Sequence, residues 1–553
     1  MLQRRRIARW FIACALAAGT LVSFTSAVPS LAGISTPLHT LTLSLPGPLN
    51  GCTVLDKAAT PTTGAVLDLL RPSAFLTSPS GNLYGEGGPI ASAELVSLKP
   101  ETVVYTIAPN QHWSNGDPFD GVDLVAWWLK AKALASVQSD GYRLIKSMTE
   151  TNNGLTVTAT FSSPFAEWNL LFRDVEDVGT PGGCSWSDFL RRPSLGPYKV
   201  VSASAHRLVL SANPAWTSLP NRFGRLIITD ATALPTNSSS YYASYSLQVT
   251  RSALQAVSSH PAILSHIGTS SNIAEITYAP ARALTRQVKI REALSWSLNR
   301  QSLINRIFGT VTFSTSVAQS ALYSQGQGQY PGAGGNAPSA QSTTTTVNSV
   351  ANNNDLIDCP ICAIHILESA GYHKSARRWM SLAGTPLSVH VAEGPSNLDQ
   401  AVAQLVASQW RAFGIGVSLT KVSSDIAAAS TAASNHVDAA VFTRPTTTTA
   451  WFAARSWSGP AYPDSYPSGF RSTVINRLFA SGLTNFNPVS ASSTWLELDQ
   501  TLMAAYRVRP LFTAPSLVEW SNSVGGVYGS LSVPGFADEV TSWGTNQLVT
   551  AGS

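Results

Sequence analysis

His112–Trp128 reads HWSNGDPFDGVDLVAWW and contains the local signals of a strand, a turn and a helix. A strand is predicted to end at Trp113, because the Asn-Gly-Asp-Pro run at residues 115–118 favours a reversal of the chain. An amphipathic helix is then predicted to begin at Val122. The stretch therefore predicts a strand that leads through a tight turn directly into a helix.

Regular patterns of apolar residues continue on both sides of this stretch. Alternation of apolar and polar residues predicts strands at 39–45, 103–107 and 155–161. Helices are predicted at 64–70, 288–304, 364–372, 401–413 and 495–506. The helix that begins at residue 401 is followed by Gly414 and a predicted strand at 415–419, and further strands are predicted at 437–442 and 509–512.

Several of these segments resemble, in the same order, the sequence signatures of one protein family. The Trp113–Gly116 word resembles the family's W-S-(D/N)-G turn, and Ser194–Val201 resembles its G-T-G-P-Y-K-V strand. Val288–Ile304 resembles the family's pair of consecutive helices, with the pattern V-R-x-A-(I/L)-x-x-A-(I/L)-(D/N)-R. Ile364–Tyr372 resembles its A-x-x-L-L-x-x-A-G-Y helix. The chain thus resembles the extracellular solute-binding proteins, family 5, the peptide/nickel class of ABC-importer receptors.

This resemblance implies an α/β fold of the two-lobed periplasmic-binding-protein type (type II, cluster C), with mixed sheets and a hinge. Residues 34–275 are expected to form lobe I, 276–512 lobe II, and 513–553 a return to lobe I. The lobes would close around a peptide or small-molecule ligand, because contacts to both lobes exist only in the closed state. ABC permease subunits at the membrane are the implied partners, and the protein itself is predicted to be a monomer. Residues 324–354, rich in Gly, Gln, Ser, Thr and Asn, are predicted to be a solvated insertion in lobe II.

Composition argues for a packed globular protein and against two other functions. Apolar residues make up 44% of the 553 residues, whereas charged residues make up 12%, compared with roughly 25% in an average soluble domain. The formal net charge is +5, and basic residues cluster only at the N-terminus, so no nucleic-acid partner is expected. No nucleophile elbow, metalloprotease helix or phosphate-binding loop occurs, so no enzyme activity is predicted. The acidic residues around 150–177 are expected on solvated faces.

The N-terminal 33 residues have the pattern of a secretory signal peptide. A basic segment, Arg4–Arg9, precedes an apolar run from Trp10 to Phe24 and two small-residue cleavage sites. A retained anchor is an alternative, although the run is short for a span of roughly 20 residues. Lipidation at Cys14 is a second alternative. Export predicts an extracellular, cell-envelope or periplasmic protein that is either free or associated with the membrane.

Four cysteines remain after removal of the signal peptide, and an oxidising compartment favours disulfides. We predict the pairs Cys52–Cys184 and Cys359–Cys362, although four cysteines allow three connectivities. The C-x-x-C spacing at residues 359–362 could also serve redox chemistry or a metal. No thioredoxin-like pattern surrounds it. A zinc site would need two more ligands, for which His365 and His373 are the only nearby candidates, so a structural disulfide is favoured.

The chain departs from the family pattern where peptide-binding members carry a W-x-x-D segment whose Asp pairs with the ligand's ammonium. Here Arg444 aligns with the Trp and Thr447 with the Asp, and a threonine cannot supply the missing charge. The departure predicts a neutral or anionic ligand with Arg444 as its partner, or else a solvated Arg444 at a strand end. Trp451 and Trp457, close to Tyr462 and Tyr466, would line the cleft or pack in the core.

The sequence therefore predicts an exported substrate-binding component of an ABC importer that captures a peptide or peptide-like solute. The alternative is a non-transport envelope protein that uses the fold to bind a glycolipid or cell-wall-derived ligand. No cofactor is expected, and nickel or haem capture is disfavoured because the nine His and four Met form no cluster.

Overall fold

The computed structural model describes residues 39–545, with gaps at 50, 52, 57–58, 181–185, 205, 217–220, 231–240, 248, 256–260, 310–315, 328, 331–357, 447–448 and 460–464. Four predictions therefore lie outside the described residues. They are the signal peptide, the Cys52–Cys184 pair, most of the 324–354 insertion, and Thr447. None of the described helices combines the length and the hydropathy needed to cross a bilayer.

Twenty strands occur in the described part of the chain. They are β1 (His39–Ser44), β2 (Phe75–Thr77), β3 (Leu83–Gly85), β4 (Ile90–Leu98), β5 (Glu101–Ile107), β6 (Ile145–Thr151), β7 (Thr156–Phe161), β8 (Tyr198–Ser204), β9 (Arg207–Ala212), β10 (Phe223–Thr229), β11 (Tyr241–Ser246), β12 (Ile263–Tyr278), β13 (Tyr372–Ser375), β14 (Arg378–Ser381), β15 (Ser388–Glu393), β16 (Gly416–Lys421), β17 (Ala439–Pro445), β18 (Val508–Ser521), β19 (Val524–Gly525) and β20 (Gly544–Thr545).

Thirteen α-helices accompany these strands among the described residues. They are α1 (Pro61–Leu70), α2 (Gly121–Ala133), α3 (Asp140–Leu144), α4 (Arg251–Gln255), α5 (Val288–Trp296), α6 (Arg300–Phe308), α7 (Pro360–Ser369), α8 (Asn397–Phe413), α9 (Asp425–Ala433), α10 (Ala450–Ala454), α11 (Thr473–Leu483), α12 (Pro488–Ala504) and α13 (Val533–Asp538).

Most predicted strands and helices are confirmed. The strand predicted to end at Trp113 is not: β5 ends at Ile107, and only His112 forms an isolated bridge, to Pro118. Several helices also begin earlier than predicted because polar residues cap them. Helix α8 begins at Asn397 rather than at residue 401, since Ser396 and Asp399 form a reciprocal capping box. Helix α1 likewise begins at Pro61, with Thr60 as its cap. In the opening stretch, Asp120 and Asp123 form the same kind of box at the start of α2. Apolar periodicity does not report such polar first turns.

Two long strands connect the two halves of the main sheet, whose order is β16-β15-β17-β12-β18-β11-β1-β10-β9-β8. Strand β12 runs antiparallel to β18 over most of its length. One side of the pair continues into β17, β15 and β16, and the other into β11, β1 and β10 to β8. The register between β12 and β18 shifts between Thr269 and Ile273. The chain therefore passes between two groups of strands along β12 and again along β18.

Three large hydrophobic cores lie against these elements. The strands β11, β1 and β10 to β8 pack with α1 and α13 around residues such as Leu43, Leu67 and Phe536. The strands β17 and β15 pack with α5 to α8 around Leu294 and Trp410. A third core joins the four-stranded antiparallel sheet β4-β5-β7-β6 and α2 to helices α10 to α12.

The predicted disulfide between Cys359 and Cys362 is present at the start of α7. The Sγ of Cys359 also accepts a hydrogen bond of 3.2 Å from the backbone N–H of Cys362. The disulfide therefore links the N-cap residue of α7 to the first turn of the helix.

Replacing both cysteines with serine should lower the free energy of unfolding by about 2 kcal/mol at most, because the bridge closes a very short loop. Serine at 359 keeps a capping oxygen. Urea unfolding of the double variant and of the oxidised and reduced wild type would measure the change. A loss above about 4 kcal/mol would contradict this purely local role.

Candidate functional site

A cavity of about 340 Å³ lies beside β12. We call it the central cavity. Its wall combines residues that precede β12, residues of β12 itself and residues that follow it. These are Val54, Asp56, Ala59, Thr60, Pro61, Gly64, Thr77, Gly81, Leu83, Gln138, Phe165, Leu170, Leu171, Arg173, Leu247, Ser271, Asn272, Gln327, Ile426, Pro445, Thr446, Thr449, Trp451, Phe452, Tyr466, Leu531, Ser532, Val533 and Pro534.

Direct contacts close the wall between the segments before β12 and those after β17. The rings of Phe165 and Trp451 meet edge to face with centroids 5.8 Å apart. Next to them, the backbone N–H of Ala166 donates to the carbonyl of Leu483 at 2.7 Å. An ion pair of 2.9 Å also joins Asp140 to Arg455. Both sides of the cavity are therefore held together in this structure.

Trp451, one of the residues predicted to bind ligand, lines the central cavity. It belongs to the short helix α10, and its side chain is almost completely buried. Its indole N–H has no hydrogen-bond partner within the described part of the chain. A buried donor without a partner carries a free-energy penalty that a ligand acceptor would relieve.

Trp457 occupies a different place although it lies only a short distance along the chain. It follows α10 and is buried in the core shared with α11 and α12. It is not among the described residues that line the central cavity. Trp457 therefore corresponds to the core-packing alternative that the sequence left open.

Arg444, the predicted partner for an anionic ligand, is paired inside the protein. Its guanidinium and the Glu275 carboxylate are both about 1% exposed or less, and their Nη2 and Oε2 atoms are 3.0 Å apart. Nε of Arg444 lies 3.1 Å from Oε1 of Glu275, and Nη2 also donates to the carbonyl of Ala321. Arg444 is not among the residues that line the cavity. The structure thus gives this guanidinium an internal carboxylate in place of solvent or a ligand.

The charged residues of the cavity wall are ones that the sequence did not single out. Among the described lining residues, Arg173 is the cation and Asp56 is the anion. Arg173 lies in the acidic run Arg173–Asp177, which was expected on a solvated face. That expectation is wrong for Asp174 and Glu176, which are buried. The mixture of acidic and basic residues at Arg173–Asp177 is a signal that the sequence does contain. Their burial, which places them at the cavity wall, cannot be derived from the sequence of this run.

These buried acids belong to ion clusters behind the cavity wall. Glu176 contacts Lys130, Arg71 and Arg192, with Arg71 Nη2 3.1 Å and Arg192 Nη1 3.0 Å from Oε2. Burial lowers the pKa of Lys130 to about 8, because desolvation and the neighbouring guanidinium groups disfavour its charge. The wall near Arg173 is therefore fixed by buried charges rather than by apolar packing alone.

A metal ligand set is not found among the described residues, where no group of three or more His, Cys, Asp or Glu is placed to hold an ion. The chemistry of the central cavity comes instead from hydroxyl, amide and indole groups, with Arg173 and Asp56 as its charges. Such a wall can bind a small polar solute by hydrogen bonds and pack its apolar parts.

Comparison with known proteins gives partial sequence matches to two mycobacterial proteins. The oligopeptide-binding protein OppA of Mycobacterium tuberculosis (strain ATCC 25618 / H37Rv) is 31% identical over 189 residues, which are 31% of this chain and 32% of OppA. The probable monoacyl phosphatidylinositol tetramannoside-binding protein LpqW of the same strain is 27% identical over 192 residues, 31% of this chain and 29% of LpqW. The match thus spans about a third of the length of these relatives.

The structural similarity extends over nearly the whole chain. The solved structure of the periplasmic EDTA-binding protein EppA superimposes with a TM-score of 0.76 and 18% sequence identity, covering 92% of this chain and 96% of EppA. The predicted α/β fold of the two-lobed periplasmic binding proteins is therefore confirmed. The family description "Bacterial extracellular solute-binding proteins, family 5 Middle" matches residues 89–472, most of the sequence. The chain belongs to the bacterial extracellular solute-binding proteins of family 5.

Proposed function

We propose that this chain is an exported binding protein that holds a small peptide or peptide-like solute in the central cavity and delivers it to a membrane permease. The observation that carries the proposal is the cavity wall, which combines residues before, within and after β12. A volume of about 340 Å³ is near the lower end of the roughly 300–1,000 Å³ of small-molecule pockets. It suits a di- or tripeptide better than a long peptide. Because family 5 proteins bind solutes, the proposal assigns no catalytic step.

The proposal includes two lobes that move about β12 and β18. We place lobe I at residues 34–275, lobe II at 276–512, and a return to lobe I at 513–553. The two passages of the chain between the strand groups support these boundaries, as does the register shift between Thr269 and Ile273. A ligand that contacts both lobes would stabilise the closed form, which a permease can recognise.

A peptide ligand is favoured by the partial similarity to OppA, an oligopeptide-binding protein. Export is favoured by the basic and apolar N-terminal segment and by the Cys359–Cys362 disulfide, since such bonds persist in oxidising compartments. Thr447, aligned with the family's ammonium-binding Asp, remains a predicted ligand neighbour. With no carboxylate at that position, the ligand's charges must be bound elsewhere in the cavity.

A second function is favoured by the similarity to LpqW, whose name describes a glycolipid-binding protein. Under this alternative the chain would bind a glycolipid or cell-wall-derived molecule in the envelope, with no permease. The apolar part of the cavity wall, which includes Leu170, Leu171 and Phe452, would then hold an acyl chain.

Native mass spectrometry of the exported protein, purified without added ligand, distinguishes the two functions. An enclosed ligand should survive purification, so a bound mass that fragments into amino acids is the expected result. A bound mass that fragments into sugar or acyl units would replace the peptide proposal with the envelope alternative.

Trp451→Phe should weaken peptide binding by about fivefold, because the smaller ring gives up about 1 kcal/mol of apolar contact and the indole donor. The probe is an equimolar library of di- and tripeptides, measured by native mass spectrometry. Trp457→Phe is the matched control, since Trp457 is equally buried and its N–H also lacks a described partner, but it does not line the cavity. Equal losses in both variants would show that Trp451 acts only through packing.

A further inference from the structure

Arg173 is held at the cavity wall by an unusual local backbone. The residues on either side of it, Phe172 and Asp174, have φ of 57° and 54°. Residues other than glycine have a strained backbone in this left-handed region, and such residues are concentrated at functional sites. The strain on both sides of Arg173 is thus maintained by the surrounding packing, in a segment where Phe172 and Asp174 are both fully buried.

The guanidinium of Arg173 is held by hydrogen bonds to Asp68 and Thr77, which occupy only some of its N–H groups. Nε donates to Oδ1 of Asp68 at 3.0 Å, Nη2 donates to Oδ2 of the same carboxylate, and Nη1 donates to Oγ1 of Thr77 at 2.7 Å. Those bonds use three of the five N–H groups of an arginine. Asp174 Oδ2 lies 3.7 Å from Nε and Asp538 Oδ2 lies 3.9 Å from Nη2, both beyond hydrogen-bond distance. One N–H on each Nη therefore remains without a hydrogen bond to any described residue, and the side chain is 22% exposed.

Three carboxyl groups, those of Asp68, Asp174 and Asp538, surround the guanidinium of Arg173. They favour its charged form, although the raised pKa values of Asp174 and Asp538 mean that not all three are ionised. Burial alone would lower the pKa of Arg173, but the carboxylates of Asp68, Asp538 and Asp174 raise it above its ordinary value. Burial raises the pKa of both Asp174 and Asp538 well above the usual range, and repulsion from Asp68 adds to the shift. The guanidinium is therefore a cation at neutral pH.

The central cavity has few charged residues, so the position of Arg173 indicates where an anionic group of a ligand would bind. Arg173 is the one cation among the described residues that line the cavity, and the remaining lining residues apart from Asp56 are neutral. One N–H on each of two neighbouring Nη atoms is the donor set that a bidentate arginine–carboxylate pair uses.

We propose that Arg173 binds the carboxylate of the ligand through these two N–H groups, so that the protein selects small peptides with a free C-terminus. The inference rests on the proposed function and makes it more specific. Asp56 gives the cavity an acidic group as well, which is compatible with a ligand that carries both an ammonium and a carboxylate. In this arrangement Asp68 and Thr77 are positioning residues, because they contact Arg173 and fix its plane.

The test compares two libraries on the exported chain after removal of copurified ligand. One library contains di- and tripeptides with free carboxylates, and the other contains the same sequences as C-terminal amides. Native mass spectrometry of the wild type should show at least tenfold stronger retention of the acids, since the amides replace a charge-assisted pair with a neutral hydrogen bond. Equal retention of acids and amides would overturn the inference and leave the proposed function intact. Retention of neither would overturn the peptide function together with the inference.

Two variants separate binding by Arg173 from a purely structural role. Arg173→Lys keeps the charge but loses the planar fork, so the preference for acids should shrink. The lost hydrogen bonds to Asp68 and Thr77 should also lower the melting temperature, so the readout is the ratio of acid to amide retention and not the stability. Arg173→Gln should abolish the preference. An undiminished preference in Arg173→Lys would contradict bidentate binding. If Arg173→Gln does not fold, the wild type and Arg173→Lys still decide the question.

Discussion

Arg444→Met should destabilise the protein by about 3–5 kcal/mol, because it leaves the Glu275 carboxylate buried without its partner. Glu275 is fully buried, and the guanidinium of Arg444 provides its ion pair. Burial already raises the pKa of Glu275, and the charge of Arg444 opposes that shift. Without Arg444 the carboxyl group will take up a proton, so the loss should grow as the pH rises. Urea unfolding at pH 7 measures the change through the shift in midpoint.

The double variant Arg444→Met/Glu275→Leu is the matched control for this prediction. Removing both charges removes the desolvation cost of each, and apolar replacements of buried pairs are often neutral or stabilising. We therefore expect the double variant to recover most of the stability lost in Arg444→Met. A double variant as unstable as the single one would show that the loss comes from packing around Arg444.

Ligand binding by the double variant decides the role that the sequence predicted for Arg444. If the residue only stabilises the fold, the double variant should retain peptides from the free-acid library as well as the wild type does. A stable double variant that no longer binds them would restore Arg444 as a ligand partner.

The fold of this chain could be predicted because its signals are local. The turn after Trp113, the apolar stripe of Val288–Ile304 and the glycine after α8 each report their own structure within a few residues. The start of α8 was misplaced because a capping box is made of polar residues, which apolar periodicity ignores.

The pairing of Arg444 could not be predicted, because its partner lies far away in the sequence. In the register of β12 with β17, Ile273 is opposite Arg444 and Glu275 is opposite Phe442. Glu275 and Arg444 are therefore diagonal neighbours, within reach of long side chains. The sequence presents Arg444 at the end of a strand but contains nothing that indicates which strand lies beside it.

The residues of the candidate site could not be predicted either, because they are brought together by contacts between distant parts of the sequence. Trp451 and Trp457 have similar surroundings in the sequence, yet only Trp451 lines the central cavity. Arg173 is one basic residue among several acids, and the strand and helix patterns do not place that run beside the cavity. Long-range packing separates cavity-lining residues from core residues here, and local patterns do not encode it.

The protein should become less stable as the pH rises from 5 to 7, because several buried or half-buried carboxyl groups stay protonated in the folded state. Burial is the main cause of a pKa of about 8 for Glu86 and also for Asp425, to which the neighbouring Asp399 contributes. Burial raises the pKa of Glu101 and Glu167 to about 7. In the unfolded chain these groups lose their protons near pH 4. Between these values the folded state binds more protons, so stability falls as the pH rises.

The expected size of this effect is about 1.4 kcal/mol per pH unit for each group that keeps its proton. Glu86 and Asp425 together should therefore cost up to about 5 kcal/mol between pH 5 and pH 7. The lowered pKa of Lys130 does not offset this loss, because it lies near 8 and acts only above that pH. Urea midpoints at pH 5, 6 and 7 measure the slope directly.

Asp425→Asn isolates one contribution to this slope. Asp425 lies beside Asp399, whose Oδ1 already accepts a hydrogen bond of 2.6 Å from Thr443. An amide at 425 can donate to Asp399 as the protonated acid does, but it does not titrate. The variant should therefore lose about 1.4 kcal/mol per pH unit of the dependence and be more stable than the wild type at pH 7. The exposed Glu497→Gln is the control and should leave the slope unchanged. An unchanged slope in Asp425→Asn would mean that Asp425 ionises in the folded state at the same pH as in the unfolded chain, and that Asp399 does not share its proton.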